Sequence, residues 1–276
     1  MGAQNRLYYW ALAPAAMLLL VFFVAPLCNV LWLSVSEPVF GLRNYAALFD
    51  NALLQRIWIT TLRISALTTV MAVAAGYVVA YAMAHVGERH RTVMVFCIVL
   101  TFWISVLIRA FAWIMLLRPE GVLNGALIAL GLIDRPLRLV RNELGVVIGM
   151  VHYALPVAIL PLYSNMRTIS ARYGEAARGL GASARQRFLW VYLPMTKPGL
   201  IAAALLVFIF SLGFYITPSI LGGGSVVMIG EYLRVSFEET LRWGYATMLA
   251  STMLFALFVT LAVMAGVVDL RKVFGT

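Results

Sequence analysis

The chain is 276 residues long, 63% hydrophobic and only 12% charged, with a mean hydropathy of +0.94. Water-soluble domains carry about a quarter of charged residues, so this composition belongs to a chain that crosses a membrane several times. The net charge of +10 would suit nucleic acid if it were clustered, but the basic residues are scattered among short segments between apolar runs, as membrane topology requires.

A helix needs about 20 apolar residues to cross the hydrocarbon layer. In chain order, six runs qualify: 9–35, 57–84, 92–117, 144–165, 199–220 and 245–268. The first is too long for the apolar region of a secretory signal and continues past Pro14 and Pro26. The last, "GYATMLASTMLFALFVTLAVMAGVV", is the clearest. Alternating strand patterning is absent, which argues against a barrel. The expectation is an all-α membrane protein with six transmembrane helices in a single domain, 1–276. Cys28 and Cys97 both fall in apolar runs and read as two buried thiols rather than a disulfide.

Six spans put both termini on one side. With cytoplasmic termini, the inner segments hold 11 Lys/Arg and the outer segments 8, while Arg63 and Arg109 fall within spans. The bias favours cytoplasmic termini.

Polar residues inside the spans are the candidates for a solute path. Arg109 stands in "WISVLIRAFAWI" of the third run, where a charge in lipid must face the bundle interior, line a path or snorkel outward. Trp103 and Trp113 flank it and either line a cavity or anchor at the interface. The fourth run adds His152 and Tyr153, with Pro156 and Pro161 expected to kink it, and the fifth adds Ser211 and Tyr215. Gly222-Gly223-Gly224 after Pro218 reads as a flexible external turn.

The segment 166–198 breaks the apolar pattern. Within "EAARGLGASARQRFLWVYLP" (175–194), Ala177, Leu180, Ala184, Phe188 and Val191 form one apolar stripe at helical period. Gly179 and Gly181 predict two short helices joined by a bend, and Pro194 and Pro198 mark the end. Such an element lies on a lipid surface or presents its stripe to another protein's groove; the physics alone leaves both open.

Here the sequence resembles the permease subunit of bacterial ABC importers. That family's mark is E-A-A, three residues, Gly, nine residues, Ile, one residue, Leu-Pro. This chain supplies Glu175, Ala176, Ala177, Gly181, Val191 in the Ile position, Leu193 and Pro194. The stretches 107–133, 153–166, 180–200 and 215–224, with "GLRNYAALF" (41–49), are similar to the spermidine/putrescine-type branch. The resemblance implies the type I ABC importer permease fold, with 166–198 as a cytoplasmic coupling helix seated in a cleft of an ATPase. Phe188 and Leu189 would then supply an apolar anchor, Arg109 an interior structural or gating role, and the solute would be a small organic one, a polyamine or similar; the span residues that are candidates to line its path are Trp103, Arg109, Trp113, Tyr153, Ser211 and Tyr215.

What the chain lacks agrees with this. No G-x-x-x-x-G-K-[ST] phosphate loop occurs, no H-E-x-x-H or G-x-S-x-G appears, and His85, His90 and His152 are the only histidines. The chain is thus expected to be no enzyme and to bind no cofactor or metal, leaving ATP and Mg to a separate subunit. The alternative is a nucleotide-independent channel or secondary carrier for a small solute; all eleven carboxylates lie outside the apolar runs or at their ends, which argues against ion coupling. The implied partners are an ATP-binding subunit dimer, a second permease (a homologue or another copy of this chain), a periplasmic solute-binding protein and the bilayer, with no nucleic acid. The implied location is the bacterial inner membrane.

Overall fold

A computed structural model describes residues 12–267. The outer ends of the first and last predicted spans (9–11 and 268), the terminal cations Arg6, Arg271 and Lys272, and hence the side on which the termini lie, fall outside the described residues.

Every regular element among them is helical. In chain order they are α1 (Leu12–Ser36), α2 (Arg43–Asp50), α3 (Ala52–His85), α4 (Glu88–Trp103), α5 (Val106–Leu117), α6 (Val122–Ala129) and α7 (Glu143–Arg167). There follow α8 (Ala171–Gly179), α9 (Ala184–Met195), α10 (Lys197–Leu212), α11 (Ile216–Gly222), α12 (Ile229–Glu238) and α13 (Trp243–Val267). Four helices, α1, α3, α7 and α13, are long and apolar enough to cross a membrane alone, and two bent pairs bring the number to six.

The predicted third span, 92–117, is not one straight helix. α4 ends at Trp103, Ile104 and Ser105 are extended, and the helix that resumes at Val106 turns by 98°. Hydropathy reads the run as continuous because composition carries no direction. The break frees the Ile104 carbonyl, which accepts from the Arg109 guanidinium at 2.9 Å. The fifth predicted span is also divided, because α10 stops at Leu212 before Gly213 and α11 begins only at Ile216. The fourth runs as one helix through Pro156 and Pro161, capped by the Asn142 side chain on Gly145 N at 2.9 Å, with Glu143 in its first turn and Arg167 in its last. Cys28 and Cys97 are free but exposed, not buried; a small apolar side chain on a membrane span gains nothing by turning away from lipid, so its apolar character does not force it into the core.

The chain divides into two compact units. One comprises the described residues to Gln55 with Tyr232–Ala256. In it the Tyr45 hydroxyl lies 2.7 Å from both Ser34 Oγ and Ser251 Oγ, linking α1, α2 and α13. Even so, the most apolar window of α1 has no buried residue.

The other unit comprises Arg56–Glu231 with the described residues from Leu257. Its core is a seam of small side chains. Ala72, Gly76 and Ala80 recur every four residues on α3, so they share one face. Ala154 and Ala158 of α7 and Ala203 and Val207 of α10 are buried with them. A Cβ at Gly76 would stand 3.0 Å from that of Ala158. Lipid gives apolar side chains no reason to hide from it, so helices in a bilayer gain most by close backbone approach, which small residues allow. Larger side chains fill the ends: Met83, Ile159, Leu162 and Met166 at one, Ile64, Val146, Met150 and Leu221 at the other.

Candidate coupling loop and solute path

The segment 166–198 folds from local signals. The Ser170 side chain accepts from Arg172 N and opens α8. α8 stops where Gly181 takes φ +85°, the left-handed region that suits glycine. Gly181 N donates to Arg178 O at 2.9 Å and Ala182 N to Ala177 O at 3.0 Å, the paired bonds of a Schellman stop. Two residues later Ser183 and Gln186 form a capping box, each side chain accepting from the other's backbone N–H, and α9 begins. α9 widens into a π-helical turn over Arg187–Tyr192 and meets α10 at 58°.

The loop has two faces. Outward lie Glu175, Ala176, Gly181, Leu189 and Pro194, all exposed. With them are Leu180, 90% exposed, and Trp190, 73% exposed. An apolar pair so open, flanked by Arg178 and Arg185, is the character of a surface that meets another protein. Ala177, Phe188, Val191 and Leu193 are half-buried. Phe188 turns away from the exposed face, onto Tyr77 and Tyr81 of α3 at centroid distances of 6.4 and 5.8 Å. Between the loop and the end of α3 lies a groove of about 570 Å³, lined by Tyr81, His85, Arg91, Arg167, Glu175 and Phe188 among others.

Of the six path residues named from sequence, four come together: Arg109, Trp113, Tyr153 and Ser211. The Arg109 guanidinium, on a residue only 9% exposed, sits over the Tyr153 ring at 5.1 Å, and its Nε has no hydrogen-bond partner. Tyr153 in turn lies against Phe214 with centroids 4.4 Å apart. Beside them Trp113 Nε1 donates to His152 Nδ1 at 3.0 Å, which leaves the His152 proton on Nε2. Ser211 is buried and lines, with Tyr153, Phe210 and Phe214, a crevice of only about 10 Å³. Trp103, 83% exposed at the end of α4, and Tyr215 stand outside this cluster. Phe210, Phe214 and the partners of Phe188 escape a reading by sequence. Tyr77, Tyr81 and His85, however, share a spacing of four that signals a common helix face.

Residues 72–271 match the family described as binding-protein-dependent transport system inner membrane component. The chain is 35% identical over 267 residues to the spermidine/putrescine transport system permease protein PotB of Haemophilus influenzae, covering 92% of each. It is 33% identical over 226 residues to PotB of Escherichia coli, covering 81% of this chain and 82% of that one. Among solved structures, a chain of a bacterial alginate ABC transporter, in complex with an alginate-bound periplasmic protein, superposes with a TM-score of 0.76 at 18% identity over 98% of this chain and 95% of that one. That likeness is one of fold: six-span, all-α, of the type I ABC importer kind.

Proposed function

Because the chain belongs to the family of binding-protein-dependent transport system inner membrane components, and so is the multi-pass inner-membrane permease subunit of an ABC importer, we propose that its solute is a polyamine or a similar small organic solute. A periplasmic binding protein delivers the solute, and a dimer of ATPase subunits seated on 166–198 drives its passage inward beside a second permease. The termini and this loop face the cytoplasm.

The observation that carries the reading is the two-faced loop: locally capped, joined directly to α7 and α10, and open on the side that carries Leu180 and Trp190. The solute rests on similarity to the two polyamine permeases over most of their length. Selection among solutes falls to the binding protein.

The test is reconstitution of this chain with its ATPase, second permease and binding protein in vesicles, followed by labelled spermidine uptake. Uptake is expected to require both ATP and binding protein. Uptake that persists without nucleotide would support a carrier instead; ATP-dependent uptake of another solute but not of spermidine or putrescine would overturn the solute alone.

A further inference from the structure

α3 carries Tyr77, Tyr81 and His85 at intervals of four, and α9 carries Phe188 and Tyr192 at the same interval. The two stripes interlock. Tyr81 meets Phe188 and Tyr192 edge-on, at 5.8 and 5.3 Å and angles of 84° and 88°. Tyr77 meets Phe188 edge-on at 6.4 Å. Phe188 and Tyr192 stack on each other at 6.1 Å, and His85 lies 4.2 Å from the Tyr81 ring and 5.4 Å from that of Tyr192. A polar contact closes the far side, where the Tyr77 hydroxyl is 3.3 Å from Thr196 Oγ1, which itself donates to Leu193 O.

Edge-on pairs resist sliding, because displacement takes the positive rim of one ring off the negative face of the other. The segment 166–198 is already tied by the chain to α7 and α10. No direct covalent link ties it to α3; the rings hold the C-terminal end of α3 to the loop together with the Tyr77–Thr196 contact and the packing of Met83 with Met166. A movement imposed on the loop's exposed face would therefore reach the C-terminal end of α3 through these contacts, of which the rings are the most numerous and the most directional.

We propose that the five rings form a rigid bracket that makes the coupling loop and the C-terminal end of α3 move as one body. Tyr81 and Tyr192 are then positioning residues for ATP-coupled transport, acting through the loop and touching neither solute nor nucleotide. This rests on the seating of the ATPase on 166–198, and the two ideas fail differently.

The experiment uses the complete reconstituted transporter and three readings: ATPase co-purification, binding-protein-stimulated hydrolysis, and solute taken up per ATP. Tyr81→Leu and Tyr192→Leu are expected to keep the ATPase bound while uptake per ATP falls about tenfold, and Tyr81→Phe and Tyr192→Phe, which retain the rings, to stay within about twofold of the parent. An unchanged uptake per ATP in both Leu variants overturns the bracket. Leu180→Asp, on the exposed face, is expected to release the ATPase; if it does not, the seating is wrong whatever the rings do. Should the Leu variants fail to accumulate, a cross-link decides. In a Cys28→Ser, Cys97→Ser background, Ala84→Cys and Ala184→Cys, two small side chains that line the groove between α3 and the loop and lie outside the five rings, are joined by a bifunctional thiol reagent. Parts that move as one body tolerate the link, so transport continues; arrest of transport would mean that the loop slides against α3, and the bracket would be wrong.

Discussion

Gly181 holds φ at +85°, and a Cβ added there meets nothing within 4 Å. The difficulty for any other residue is thus the backbone itself, costing about 1–2 kcal/mol for an ordinary L-residue, with asparagine the mildest exception. Gly181→Leu should stop uptake and Gly181→Asn should retain most of it, as measured in membranes holding equal amounts of each variant. Equal loss in both would shift the cause from strain to contact with the ATPase. The glycine was legible from the sequence as a bend. Its left-handed geometry was not, because only the bonds from Gly181 N and Ala182 N reveal it. Arg109 was legible as a costly charge, since an ion in lipid demands a reason. Its partners were not, because Ile104 is a backbone carbonyl at a break and Tyr153 stands on another helix.

Among elements, the seam of α3, α7 and α10 sets the closest approach: a Cβ at Gly76 would stand 3.0 Å from that of Ala158, and one at Gly199 2.7 Å from that of Asn165. Gly76→Leu forces a branched side chain against Ala158 and Ile159 and should cost about 1–3 kcal/mol by overpacking. The expected readout is a lower unfolding temperature of the purified chain in detergent, with Gly76→Ala much milder; no difference between the two would mean the seam opens freely. Six apolar runs could be read from composition because the hydrocarbon thickness fixes their length. The break at Ile104–Ser105 could not, since every residue around it is apolar enough to continue a helix. The aromatic stripe of Tyr77, Tyr81 and His85 was written in the sequence, but a stripe names no partner until the facing helix is in place.

For the whole molecule, the orientation of 166–198 is what binds sequence count to function. In a background lacking Cys28 and Cys97, a cysteine introduced as Arg178→Cys should react with a membrane-impermeant thiol reagent only after cells are opened. Labelling in intact spheroplasts would invert the topology and remove the loop from the side where ATP is made. The loop itself has one more consequence. Its starts and stops come from Ser170, Gly181, Ser183 and Gln186, all within a few residues of the bonds they make. An element whose ends are fixed locally is already in shape before any partner arrives, so docking sacrifices little chain entropy. Assembly should then proceed at the speed of encounter rather than of folding, and the segment should survive transplantation into a sister permease as a self-contained cassette.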